Sequence, residues 1–110
     1  MVERLCRIFL ANLRRKTYLV PILSGDKRIV CLQSNREEKR LVLSRKKQDF
    51  FTEGGNAHFY IEGREESLRA LIMGREKLQT LVKENQLKVT GSFRDLLYLE
   101  AVFLLNKPRP

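Results

Sequence analysis

Apolar residues along this chain follow two periods, and the switch between them marks out its elements. Val2, Leu5, Cys6, Phe9, Leu10 and Leu13 recur at three- and four-residue steps, with Arg4, Arg7 and Arg14 elsewhere. That spacing predicts an amphipathic helix over residues 2–14. Arg14-Arg15-Lys16 places cations at its C-terminus, where they suit the helix dipole. The pattern then shortens. Tyr18 to Leu23 reads as a strand, at an edge or a bulge because Pro21 has no ladder donor. After the turn signal Ser24-Gly25-Asp26-Lys27, Arg28 to Gln33 reads as a second strand. Its four consecutive apolar residues, Ile29 to Leu32, predict burial on both faces. Lys39 to Ser44 is a third strand, and the short links predict an antiparallel meander. Arg45 to Gly55 reads as a loop. In Asn56 to Glu62, Ala57, Phe59 and Ile61 alternate with His58, Tyr60 and Glu62, the period of a fourth strand.

The second half is mostly helical. Leu68, Leu71 and Ile72 share one face of a helix that begins at Ser67, and Gly74 is placed to end it. Arg75 to Glu84 forms a second short helix around Leu78, Leu81 and Val82. Leu87-Lys88-Val89-Thr90 is a short strand. Ser92 is a good N-cap, and Asp95 three residues later completes a variant of the capping box. The last helix, Phe93 to about Asn106, is apolar on nearly every side, so it is either deeply buried or lines something apolar. No internal repeat or low-complexity tract interrupts the series.

Length and composition bound the reading. The 110 residues suit one domain spanning the whole chain. At 43% hydrophobic residues the chain has enough apolar surface to fold. No apolar run reaches the length of a membrane span. Glu3, Arg4 and Arg7 break up the first apolar residues, so no secretory pattern is expected there, and Lys107-Pro108-Arg109-Pro110 is no peroxisomal or lipidation signal. A cytoplasmic location is the expectation. The net charge is +9. It is uneven: residues 1–50 carry 13 Lys and Arg against 5 acids, whereas the remainder carries 9 against 8. The imbalance suggests a polyanion or an anionic membrane surface as a partner.

Candidate chemistry is sparse. Cys6 and Cys31 form no Cys-x-x-Cys pair and sit in apolar patterns, where cysteine acts as a small hydrophobe. With His58 the only histidine, a zinc site would need carboxylates to complete it. No metal or other cofactor is expected. His58 has no nucleophile beside it, no Gly-x-Ser-x-Gly frames a serine, and Glu65-Glu66 suits a helix N-terminus better than acid–base work. No catalytic residue is assigned, and the chain is not read as an enzyme. Gly54-Gly55 lacks the strand-to-helix context of a phosphate loop. The cations Arg36, Lys39, Arg40, Arg45, Lys46 and Lys47 are the anion-contact candidates. On a strand they would meet phosphates, with Tyr18, Phe50, Phe51 and Tyr60 as stacking groups. Glu37, Glu38 and Asp49 dilute them, and no nucleic-acid-binding motif accompanies them.

The segment from Ser67 to Leu105 resembles the sterol carrier protein type 2 family. Leu68-Arg69-Ala70-Leu71-Ile72-Met73-Gly74 is similar to that family's helix ending in glycine. Leu78 to Ser92 is similar to its next helix and short strand. Gly91 matches the glycine that ends the strand. Asn85-Gln86 replaces the glycine before it, and asparagine tolerates the same left-handed conformation. Upstream, only the order of elements agrees. The resemblance implies an α/β (α+β) fold: a mixed, mainly antiparallel five-stranded sheet covered by helices, with an apolar tunnel between them. It implies non-enzymatic binding of a fatty acid, acyl-CoA, phospholipid or sterol-like lipid. By position, the tunnel residues would be Leu71, Ile72, Leu78, Leu81, Phe93, Leu97, Ala101 and Leu104. An anionic membrane surface is then a transient partner, drawn by the basic half. The alternative is a basic module that binds nucleic acid or another polyanion through residues 36–47, a class of partner less expected than a lipid.

Overall fold

A computed structural model describes residues 2–16, 28–35, 37–44, 48–51 and 57–107. Among these residues, four helices and five strands follow in the order α1 (Val2–Arg15), β1 (Arg28–Gln33), β2 (Glu38–Leu43), β3 (Gln48–Phe51), β4 (Phe59–Gly63), α2 (Glu65–Ile72), α3 (Leu78–Lys83), β5 (Leu87–Thr90) and α4 (Phe93–Leu105). The strands form one sheet in the order β3-β2-β1-β4-β5. Only β1 and β4 run parallel; the other three pairings are antiparallel. The mixed, mainly antiparallel five-stranded sheet expected from the sequence is therefore present.

Among the described residues, its membership differs from expectation at one place. Residues 48–51 pair with β2, Leu41 opposite Phe50 and Arg40 opposite Phe51, so a strand occupies those four positions of the expected Arg45–Gly55 loop. Phe50-Phe51 has strand propensity, and its pairing with an already formed β2 outweighs the polar residues around it. The expected strand over Tyr18–Leu23 lies outside the described residues.

Register decides where the core sits. Val30 lies opposite Leu41 on one side and Phe59 on the other, and Leu32 lies beside Ile61. These side chains project from the same face of the sheet and are buried with the inner residues of all four helices. Alternate residues Ile29, Cys31 and Val42 are buried as well, which fits the reading of β1 as covered on both faces. The turn after β1 also reaches α1. There the Glu37 carboxylate accepts the Val2 and Glu3 backbone N–H groups at 3.0 and 3.3 Å. A carboxylate at a helix N-terminus satisfies orphan donors and suits the dipole.

Candidate functional site

The C-terminal half is assembled from a few local devices. Gly74 has φ +71, the left-handed conformation that ends α2. Asn85 has φ 59 and is the one non-glycine residue with positive φ among those described. Asparagine thus performs the turn into β5 that the sequence assigned to it. Gly91 leaves β5 at φ +149, and a Cβ there would run into the Phe59 ring. The Ser92 hydroxyl then accepts the Asp95 N–H at 3.1 Å, capping α4 as expected.

These turns lay α4 along the core with one side in and one side out. Leu99, Val102 and Phe103 are buried, with Leu96 at the border. Phe103 meets Phe9 of α1 at 5.0 Å between ring centroids, tilted by 47°, within the range of favourable aromatic pairs. Asn106 fastens the end of the helix. It is fully buried; its Nδ2 donates to the Phe9 carbonyl at 2.9 Å, and its own carbonyl accepts from Asn12 Nδ2 at 2.6 Å. The opposite side of α4 is open: Phe93 is 66% exposed, Leu97 45% and Leu105 50%.

The expected tunnel residues therefore do not share one lining. Leu71, Ile72, Leu78 and Leu81 meet in the core beneath α4. Phe93, Leu97 and Ala101 point outward and Leu104 is half-buried. Spacing explains the split, because residues four apart on a helix share a face and Leu97 lies opposite the buried Leu99 and Phe103. The seam between α4 and the sheet, flanked by Val30, Phe59, Tyr98 and Leu99, has no volume accessible to a water molecule. At that place the helix fills space. Larger hollows lie elsewhere. An open polar cleft of about 670 Å³ runs beside Arg64, Asn85 and Lys88 at the β5 edge. A groove of about 290 Å³ lies between α1 and α2, with Leu5, Ile8 and Met73 beside Arg4 and Arg69.

Of the anion candidates, two lie among the described residues. Arg36, Arg45, Lys46 and Lys47 lie outside the described residues. Lys39 and Arg40 are successive strand residues and point to opposite faces. Lys39 Nζ lies 3.5 Å from Glu3, and Arg40 Nη1 lies 2.6 Å from Glu38. Each cation already faces a carboxylate.

The reactive side chains are structural. His58 Nδ1 accepts the Ile29 N–H at 3.0 Å while the His58 N–H donates to the Ile29 carbonyl at 2.8 Å. The imidazole thus helps splice β1 to β4. Burial pushes the Cys6 thiol up to about 12 and the Cys31 thiol up to about 11. Near neutral pH both stay protonated and are poor nucleophiles. Among the described residues, no three His, Cys, Asp or Glu side chains are grouped to hold a metal. No described helix is long and apolar enough to cross a membrane.

The topology that joins β1 and β4 in parallel and closes on an apolar helix recurs in solved structures. The sterol carrier protein domain 2 of Helicoverpa armigera aligns with 98% of this chain and 88% of its own, at TM-score 0.65 and 16% identity. The fold is that of the sterol carrier proteins. The UbiJ-SCP2 ubiquinone synthesis protein shares it over 83% of this chain and 79% of its own, at TM-score 0.64 and 19% identity. Palmitated SCP2L2 of Aedes aegypti shares it over 84% and 90%, at TM-score 0.54 and 12% identity. No family model matches the sequence, and no curated protein matches it. At such identities the likeness is one of backbone fold, with few side chains in common.

Proposed function

We propose that this chain binds one apolar ligand non-covalently between its sheet and C-terminal helices. The ligand class is an acyl or sterol-like lipid: a fatty acid, an acyl-CoA, a phospholipid or a sterol. The carrying observation is the sterol carrier fold along almost the whole chain, including its likeness to a palmitated protein. Local chemistry agrees. The inner wall is formed by Leu71, Ile72, Leu78 and Leu81 together with Leu99 and Phe103 of α4, all of them buried and apolar. Each methylene moved from water into such surroundings gains roughly 0.8 kcal/mol, enough for an acyl chain to bind without a polar anchor.

Since the seam beneath α4 is filled, a ligand gains room by displacing that helix from the sheet. The buried Asn106 contacts hold the C-terminal end of α4 to α1 more firmly than the 3.6 Å Arg28–Asp95 ion pair holds its first turn to β1, so the displacement starts at the Phe93 end. The test is native mass spectrometry of the purified chain for co-purifying lipid, followed by titration with a fluorescent fatty acid. A retained lipid or saturable uptake, weakened by Leu99→Asp in protein that remains folded, is the expected result. A clean apo mass with no uptake rejects the reading.

A further inference from the structure

The outward side of α4 is unusual for a helix that ends a small domain. Only Arg94, Asp95 and Glu100 are charged among its thirteen residues. Asp95 is drawn into an ion pair with Arg28 at 3.6 Å, and Glu100 accepts the Gln79 N–H at the start of α3 at 3.0 Å. Both acids are thereby held by neighbouring elements. What faces out is Phe93, Leu97, Ala101 and Leu105, spaced four apart along one stripe. A contiguous exposed apolar stripe of this kind marks an interaction surface.

The rim of the stripe carries cations. Arg94 is exposed three residues before Leu97, and exposed Lys107 lies just beyond the helix. Lys16 Nζ donates to the Leu105 and Lys107 carbonyls at 3.2 and 2.8 Å, which puts a third cation at the same end. We infer that α4 docks this chain onto an anionic lipid bilayer, with the Phe93–Leu97–Ala101–Leu105 stripe seated among the acyl chains and Arg94, Lys16 and Lys107 at the headgroups. An apolar helical face of Phe and Leu bordered by Lys and Arg is the chemistry that lies in a membrane interface. A protein partner for so apolar a stripe would ordinarily present its own apolar core rimmed by acids. A bilayer supplies the apolar layer and the anionic rim together.

This docking goes beyond ligand binding, since a chain whose interior stayed filled would still dock. It also gives the displacement of α4 a setting, because the same helix contacts the bilayer outside and walls the ligand region inside. The experiment is co-sedimentation of the full chain with vesicles of phosphatidylcholine alone and of phosphatidylcholine mixed with phosphatidylglycerol. Binding is expected to the anionic vesicles and to weaken as salt rises. The double variant Phe93→Gln, Leu97→Gln should bind at least about tenfold more weakly, with an unchanged circular dichroism spectrum. Arg94→Gln with Lys107→Gln should weaken binding at low salt and matter less at high salt.

Absence of binding to anionic vesicles overturns the proposal, as does equal binding by the double variant. A dimer in sedimentation equilibrium that Leu97→Gln dissociates also overturns it, by making the occupant a second copy. Fatty-acid uptake measured without vesicles separates the two readings. Outer-stripe variants that retain uptake but lose vesicles support docking. A wild-type chain that binds vesicles but takes up no fatty acid leaves docking standing while the ligand reading fails.

Discussion

Helices α1 and α4 meet at one aromatic contact, Phe9 against Phe103, and share one core, yet they present opposite exteriors. Outside, α1 carries Arg4, Arg7, Arg14 and Arg15, around exposed Ile8 and Ala11. Outside, α4 carries Phe93, Leu97, Ala101 and Leu105. The inner faces obey one rule, burial of apolar surface, and sequence periodicity displays it wherever the other face is polar. The outer face of α1 is explained by solvent. The outer face of α4 is not, and this difference is the basis for assigning it a membrane.

The largest expected effect tests what the two helices have in common. Phe103→Ala removes the ring that α4 sets against α1 and leaves a cavity in a close-packed interior. We expect a loss of about 3–5 kcal/mol in urea unfolding. A loss below about 1 kcal/mol would show that α4 is only loosely attached to the shared core.

The dryness of the inner face of α1 has its own readout in Cys6. Its thiol is raised by burial from 9.0 to about 12. Below the unfolded value the thiol is neutral in both states and costs nothing. Above it the unfolded chain ionises first, so stability falls as pH rises through the interval up to the folded value. Thermal unfolding followed from about pH 8 to about pH 10 should decline, and Cys6→Ala should reduce the decline. The native thiol should also resist iodoacetamide until the chain is unfolded. Rapid native labelling would mean that water reaches the inner face of α1.

The same contrast shows what was legible in the sequence. Helix α1 could be read with its orientation because its polar and apolar residues alternate at helical steps. The boundaries of β5 could be read because left-handed turns restrict residue choice, and Asn85 and Gly91 meet that demand. The cap at Ser92 was legible for a similar local reason. Strand β3 was not, because four residues set between Lys46-Lys47 and Thr52-Glu53 carry no period of their own and gain strand structure only by pairing with β2. For α4 the presence of a helix was legible but its facing was not. An all-apolar pattern names no inward side, so the four lining residues expected on α4 fall outside the core, whereas the four on α2 and α3 lie in it. Only packing, in the burial of Leu96, Leu99, Val102 and Phe103, tells inside from outside there. The two anion candidates among the described residues are kept apart for a different reason: strand alternation separates Lys39 from Arg40, and nearby carboxylates engage both.

The smallest expected effect on stability is the sharpest test of the comparison. Leu97 is 45% exposed and Leu99, two residues on, is 1% exposed. Both are leucines in the same helix, so helix propensity cancels between them. Leu97→Gln should change the urea midpoint by no more than about 0.5 kcal/mol equivalent, as surface substitutions do. Leu99→Gln buries an amide against Phe59 and Tyr98 and should cost several times more. A bilayer absent from the tube cannot contribute to the stability of Leu97, whereas the chain's own core contributes to that of Leu99. If Leu97→Gln instead costs as much as Leu99→Gln, the stripe is covered in solution by protein, and α4 has two buried faces rather than one.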